Sequence, residues 1–176
     1  MRITPLRAAA LSVVLAASAA HAQQAPAGVQ GEMLFWFDDA ANKIVQLAEA
    51  IPAEKYAWRP SQGVRSVAEV IGHVSGGNYF LMGMAGAPIP AGTPRDLEQV
   101  TAKAEAISAL RQSIEHVRGA MRALTAADLD AAATIFGRQS TKRDACMLTV
   151  VHAHEHLGQL IAYARSNGIT PPWSGN

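Results

Sequence analysis

Three histidines occupy alternate positions in the segment Val150–Tyr163, which reads Val-Val-His-Ala-His-Glu-His-Leu-Gly-Gln-Leu-Ile-Ala-Tyr. The segment lacks proline, and Asn167-Gly168 beyond it is typical of a left-handed helix stop. At about 100° per residue, His152 and His156 lie one turn apart on one helix face, whereas His154 points to nearly the opposite side. Two imidazoles at i and i+4 can offer two nitrogens to one cation. The alternative is that these histidines only form hydrogen bonds, in the core or at the surface.

A further histidine belongs to an earlier predicted helix. Ser66 and Glu69 form a capping-box pattern that opens a helix from Val67 to about Met84. His73 shares a face of this helix with apolar residues, so its ring needs a buried partner: a backbone carbonyl, a carboxylate such as Glu69, or a metal. Gly76-Gly77 weakens the helix by roughly 1 kcal/mol per glycine relative to alanine. This pair therefore indicates the close approach of another helix or of a ligand.

Apolar residues at three- and four-residue steps predict the helices that would position these side chains. The predicted limits are Gly31–Ile51, Val67 to about Met84, Asp96 or Thr93 to Leu124, and Ser140 or Thr141 to Asn167. No segment shows a credible β-strand pattern, although Thr134–Arg138 could form a short extended piece. The sequence therefore predicts an all-α four-helix bundle, with connections long enough that a simple up-down-up-down order is not required.

In a bundle, facing helices build metal sites from inward-pointing side chains. His73, His152 and His156 would supply three neutral nitrogen ligands and leave at least one position open, which is typical of catalytic rather than structural zinc sites. Imidazole also suits nickel, iron, copper and cobalt, so we expect a divalent transition metal such as Zn, Ni or Fe without choosing among them. Glu155 and Gln159 flank the pair and are candidates to orient the ligands or to contact a bound water.

A competing motif covers the same residues. His152–His156 matches the H-x-x-E-H pattern of inverted zincins, in which Glu155 would be the general base. That fold needs a further ligand, usually acidic and downstream, and no Asp or Glu follows Glu155 in this sequence. The match is therefore the weaker interpretation.

The N-terminus has the pattern of a secretory signal peptide. Two arginines precede the apolar run Ala8–Ala20, and Ala20-His21-Ala22 fits the small-x-small cleavage pattern. We expect cleavage after Ala22, with cleavage after Ala20 as the alternative. The run is too short to span a bilayer in the usual way, so a mature protein without a membrane span is expected in the periplasm or outside the cell. The predicted organisation is a signal peptide over 1–22, a flexible tail over 23–30 and one domain over 31–172.

Composition restricts the class of function. The chain has 176 residues, enough for one domain with a substantial core. Loss of residues 1–22 removes two of the 15 basic residues and none of the 14 acidic ones, which leaves a net charge of −1. Without a basic excess or a Lys/Arg run, nucleic-acid binding is not expected. The single cysteine, Cys146, is predicted to be a small buried hydrophobe, and His116 to be solvated.

These motifs together resemble the DinB-like (DinB/YfiT-like) four-helix-bundle superfamily. The similar pieces are Ile51–Pro60, Val64–Val74, and His152–Tyr163 with the ending Gly168–Pro172, and they cover most of residues 30–172. The resemblance implies that His73, His152 and His156 form a divalent-metal site and that the protein forms homodimers. It also implies relatives that are thiol-cofactor-dependent transferases and isomerases. Predicted export departs from that chemistry, because low-molecular-weight thiol cofactors are mainly cytoplasmic.

Three hypotheses about function follow. The first is a metal-dependent hydrolase or transferase acting on an unknown small molecule. The second is a non-catalytic metal-binding module in the periplasm. The third is a dimeric interaction domain whose histidines only form hydrogen bonds in the core. For the dimer, an apolar surface on the back of the last helix is expected to be the contact. It comprises Val150, His154, Leu157 and Ile161.

Overall fold

Helices dominate the computed structural model, which describes residues 28–175. In chain order the elements are α1 (Gly28–Ala50), α2 (Val67–Met84), α3 (Lys103–Ala123), α4 (Ala126–Asp130), β1 (Ala132–Ile135), β2 (Arg138–Thr141) and α5 (Lys142–Ser166), with 3-10 turns at Ala53–Lys55, Leu97–Gln99 and Pro172–Ser174. The prediction of an all-α fold is confirmed. The predicted signal peptide and most of the predicted tail lie outside the described residues.

The four long helices form a bundle in which α1 and α2 occupy diagonal positions. Each of these two helices packs chiefly against α3 and α5. Side chains from all four helices fill the space between them, among them Phe37, Ile44, Ile71, Val74, Leu110 and Leu160. This arrangement places one face of α2 directly against α5, the two helices predicted to carry the histidines. Within residues 28–175, no helix is both long enough and apolar enough to cross a membrane.

Two helix starts differ from the prediction. The first helix begins at Gly28, so residues 28–30 of the predicted tail are helical. The Gln30 side chain explains this, because its amide donates to the carbonyl oxygens of Met121 and Leu124 at the end of α3. Asp96 is a cap, but it caps the 3-10 turn Leu97–Gln99 and not the third helix.

The expectation that the chain contains no β-strand was wrong. The predicted extended piece at Thr134–Arg138 spans the turn of a hairpin, so only its ends are extended. β1 and β2 pair antiparallel, with Ile135 opposite Arg138. Phe136 and Gly137 form the two-residue turn, and their φ angles are 49° and 80°. Positive φ at both turn residues is the pattern of a type I′ hairpin. Strands of four residues, mostly polar and with one buried side chain, carry too little periodicity to be recognised in the sequence.

The predicted dimer surface on the last helix was placed wrongly. Val150 and Leu157 are each only 7% exposed and belong to the core of the same chain. α1 covers much of α5, and this packing is what buries them. An apolar stripe on a helix identifies a buried face but does not say which neighbour covers it.

The sequence prediction is confirmed for Cys146 and wrong for His116. Cys146 is fully buried, and burial raises the pKa of its thiol to about 11, as expected for a small core residue. His116 is not solvated: it is half-buried, and its ring centroid lies 5.0 Å from that of Tyr79. Burial lowers the pKa of His116.

Gly72 of α2 lets the 3-10 turn Leu97–Gln99 lie directly on the helix. A methyl group at Gly72 would overlap the carbonyl of Leu97 and lie 2.8 Å from Cα of Glu98. Those atoms belong to the backbone and cannot rotate away. Gly76, one turn further along, has open space where its Cβ would be.

We predict opposite effects for alanine at these two glycines. Gly72→Ala should lower the free energy of unfolding by about 1–3 kcal/mol because the turn must move away. Gly76→Ala should raise it by roughly 0.5–1 kcal/mol because alanine favours the helix and meets no neighbour. Urea denaturation of both variants measures the difference, and equal stabilities would contradict the described contact.

Candidate metal centre

Three imidazoles from two helices converge inside the bundle. One ring nitrogen from each of His73, His152 and His156 lies within 4.8 Å of the other two. The ring centroids are 5.1 Å apart for His73 and His152, 4.8 Å for His73 and His156, and 4.5 Å for His152 and His156. His156 is buried, and the other two are half-buried. The i, i+4 pair on α5 therefore faces the α2 histidine, as the sequence predicted.

His73 is held by a carboxylate that comes from the turn before α3. Nδ1 of His73 donates to Oε1 of Glu98 at 2.8 Å, because an ionised carboxylate can only accept. Arg65 holds the same carboxylate at both oxygens, with Nε 2.9 Å from Oε2 and an Nη atom 3.1 Å from Oε1. These two hydrogen bonds from Arg65 are the first cause of the lowered pKa of Glu98. With the proton fixed on Nδ1, Nε2 of His73 presents its lone pair to the other histidines.

His156 is oriented by a chain of neutral hydrogen bonds. Its Nδ1 lies 2.8 Å from Oε1 of Gln159, which accepts the ring proton. The amide nitrogen of Gln159 donates to the Tyr163 hydroxyl at 2.9 Å, and that hydroxyl donates to the backbone carbonyl of Arg65 at 3.0 Å. The chain leaves Nε2 of His156 without its proton and free to act as a ligand. Of the two flanking residues that the sequence suggested, Gln159 is thus an orienting group.

His152 lies between the helices, with its ring against the backbone of α2. A methyl group at Gly77 would overlap this ring, so the glycine makes the room that the imidazole occupies. Nδ1 of His152 is buried and has no hydrogen-bond partner among the described residues. Burial, together with His156, His73 and Arg65, lowers the pKa of His152 to about 4. Burial also lowers the pKa of His156.

The donor set fits a divalent transition metal. Both α5 imidazoles are neutral near pH 7, and metal ligation requires the neutral ring. Nε2 of His73 and Nε2 of His152 are 3.3 Å apart, which matches the roughly 3.3 Å between two nitrogens that share a tetrahedral zinc at about 2.0–2.1 Å. Three nitrogen donors without a carboxylate suit Zn, Ni or Fe better than Mg or Ca.

The other candidate residues lie outside this cluster. His154 points away, and its Nδ1 donates to the carbonyl of Val150 at 3.0 Å. Glu155 is exposed and has no hydrogen bond to the three rings, which removes the support for a zincin-type base. Glu69 completes the capping box and pairs with Arg59, so it does not hold His73.

Glu98 is the residue that sequence reasoning missed. It follows His73 by 25 positions, in a short turn after a loop rich in Gly and Pro, and this segment carries no periodic pattern. The one sequence signal near Glu98 was the capping residue Asp96, which indicates that a turn begins there. A cap does not indicate which part of the protein the turn packs against. Only the contact at Gly72 brings the carboxylate to the ring.

The fold and the site together define a helical-bundle protein with a three-histidine cluster between two of its helices. The sequence model of the DinB superfamily matches residues 37–160, so the chain belongs to that superfamily.

Two solved structures show the same fold. A DinB-like protein from Bacillus cereus ATCC 10987 superposes with a TM-score of 0.71 at 18% identity, covering 81% of this chain and 95% of that one. The DinB-like protein YjoA from Bacillus subtilis gives a TM-score of 0.63 at 24% identity, covering 79% and 93%. The comparison with curated proteins gives no match.

We predict that Glu98→Ala weakens divalent-metal binding by about 10–100-fold, because His73 loses the group that fixes its proton and its orientation. Isothermal titration with Zn²⁺ measures the change. Glu155→Ala is the matched control, since it also removes one carboxylate near the cluster but touches none of the three rings. An equal loss of affinity in both variants would show that only the net charge matters.

Proposed function

We propose that this protein is a metal-dependent enzyme, a hydrolase or a transferase acting on a small molecule, with one divalent transition metal held by His73, His152 and His156. The observation that carries this proposal is the set of fixed tautomers, in which Glu98 and Gln159 direct two bare nitrogens toward the third ring. Three donors leave a coordination position for substrate or water, as catalytic sites require. The superfamily assignment supports the same interpretation.

The residues around the cluster would contribute binding and orientation. A bound metal would supply Lewis-acid chemistry, polarising a substrate oxygen or activating a water or thiol nucleophile. Arg65 and Glu98 hold His73 in place, and Tyr163 supports Gln159 beneath His156. A groove of about 260 Å³ along α2 is lined by His73, so a small molecule bound there would lie against one of the three imidazoles.

One observation favours a second candidate, a metal-binding module without turnover. Among the described residues, the carboxylate at the cluster is Glu98, and Arg65 and His73 already occupy both of its oxygens. It is therefore poorly placed to act as a general base. A screen of esters, amides and thiol conjugates with the metal-loaded protein separates the two candidates, because a module would give no metal-dependent turnover.

The metal assignment predicts the behaviour of three histidine variants. His73→Ala and His152→Ala should each abolish tight binding of one divalent metal per chain, whereas His154→Ala should retain it because that ring is bonded to Val150. Elemental analysis of the purified variants gives the metal content. Equal content in all three variants would reject the site.

We also propose that residues 1–22 direct export and are removed, as the N-terminal pattern indicates. The same preparation used for elemental analysis tests this, provided that the full-length chain is expressed in a bacterium and the periplasm is collected. Intact mass should correspond to a chain beginning at Gln23. An uncleaved chain in the cytoplasm would contradict export without affecting the metal assignment.

A homodimer is proposed through a different surface from the one that the sequence suggested. Phe35 and Trp36 on α1 are 64% and 53% exposed. The Trp36 ring packs edge-on to His154 of α5, with centroids 6.3 Å apart. Exposed neighbouring aromatic side chains are typical of interfaces between proteins.

Trp36→Glu should shift the sedimentation coefficient from dimer to monomer, because a charge would be buried at the contact. Ile89→Glu is the control, since Ile89 is equally exposed but lies in the loop after α2. An unchanged sedimentation profile in Trp36→Glu, or a monomeric wild type, would exclude this interface.

A further inference from the structure

A groove made of two adjoining cavities leads from His73 along the outer side of α2. Its inner part, of about 260 Å³, is lined by His73 and Gly77, and its outer part, of about 340 Å³, by Ile89. Gly76, Phe80, Arg95 and Leu97 line both parts. The floor at Gly76 has no side chain, so a bound molecule could lie directly on the helix. The groove ends at the ring of His73.

Two exposed phenylalanines lie side by side, and one of them, Phe80, lines the groove. Phe80 is 53% exposed and Phe136 is 69% exposed, and their ring centroids lie 6.0 Å apart. Phe136 is at the tip of the β1–β2 hairpin, which contacts α2. The pair therefore comes from two separate elements, with Phe80 in the lining of the groove and Phe136 next to Phe80.

The backbone at Phe136 shows that its side chain is not there to stabilise the turn. Its φ of 49° is the only positive value at a non-glycine residue among residues 28–175. Left-handed backbone is unfavourable for a bulky side chain, and this type of turn normally uses Asn or Gly at that position. Burial does not compensate either, since most of the ring is in solvent. A side chain that is both strained and exposed is expected where it contacts a ligand.

Arg95 contributes to the same groove a positive charge that has no ion pair within the described part of the chain. Among residues 28–175, no carboxylate lies within ion-pair distance of its guanidinium, whereas Arg59, Arg65, Arg111, Arg118, Arg138 and Arg143 are all paired. The two neighbouring carboxylates also line the inner part of the groove. Arg65 neutralises Glu98, whereas Asp96 keeps its negative charge because both of its donors are neutral. Asp96 accepts from the backbone of Glu98 and from Gln99, and Glu98 is held by Arg65 and His73. Among the described lining residues, Arg95 is therefore the one whose unpaired guanidinium can bind an anionic group.

We propose that Arg95, Phe80 and Phe136 form a substrate subsite that selects an amphipathic anion, with an aromatic or alkyl body against the two phenylalanines and an anionic group on Arg95. This inference rests on the proposed function only for the rest of the ligand, which would extend toward His73 and carry the group that reacts. Binding at the subsite itself needs only the groove. The substrate class is accordingly small organic acids with an apolar body.

The first experiment compares phenylalkanoates of two to five chain carbons with the corresponding phenylalkanols, using isothermal titration on the protein as purified. The wild type should bind the best acid at least 10-fold more tightly than its alcohol. Arg95→Gln should abolish this preference, and Arg122→Gln, an exposed arginine on α3, should leave it intact. No saturable binding of any acid, or an unchanged preference in Arg95→Gln, would overturn the proposal.

The second experiment uses the strain at the hairpin. Phe136→Asn should raise Tm by roughly 2–4 °C because asparagine suits the turn, and it should weaken binding of both acid and alcohol by at least fivefold. Phe80→Ala should weaken both ligands in the same way. If Phe136 were there only to stabilise the hairpin, Phe136→Asn would lower Tm and leave binding unchanged, which would overturn its assignment to the subsite.

A third variant separates this inference from the proposed function. His152→Ala should lose the metal and still prefer acid over alcohol, because Arg95 and the phenylalanines are intact. If the wild type holds no metal but shows the acid preference, only the proposed metal-dependent enzyme is contradicted. If the wild type holds metal but shows no acid preference, only the proposed subsite is contradicted.

Discussion

The close packing of α5 against α2 at Gly77 is the constraint on which the histidine cluster depends. The His152 ring occupies the space that any side chain at this position would fill. With the two helices in this contact, the i, i+4 pair of α5 lies directly opposite His73. A larger residue at Gly77 would separate the helices and move two of the three nitrogens away from the third. The helix therefore retains a residue that weakens it by roughly 1 kcal/mol, because the site requires the space.

A second close contact completes the site. The turn Leu97–Gln99 lies on Gly72, and this contact places the Glu98 carboxylate at His73 with Arg65 on its other side. The result is a hydrogen-bonded series from a cation through a carboxylate to an imidazole. Such a series fixes the ring proton on Nδ1 and increases the basicity of the opposite nitrogen. The proton of His156 is also held on Nδ1, but by neutral hydrogen-bond partners. A charged and a neutral hydrogen-bond series therefore orient the two rings in the same way.

How much could be predicted from the sequence depends on how far apart in the chain the interacting residues lie. The helix-borne histidines, the capping box at Ser66 and the end of the last helix depend on neighbours within about one turn, and these predictions are confirmed. The partner of His73 depends on a contact between segments 25 residues apart, and neither periodicity nor capping encodes which segment docks. The same limit explains the dimer surface, because the burial of Leu157 is decided by α1.

Three positions where local rules are broken lie at the histidine cluster or close to the groove beside it. Gly77 weakens a helix, Nδ1 of His152 is buried without a partner, and Phe136 holds a bulky side chain on left-handed backbone. An unsatisfied buried nitrogen alone costs about 1–3 kcal/mol. Local preference and fold agree at the capping boxes of α2 and α4. Among the described residues, Oδ1 of Asn78 and Nε2 of His116, between α2 and α3, are also buried without a partner. The proposed metal would offset the stability lost at His152 and Gly77, and the proposed organic acid would offset the strain at Phe136.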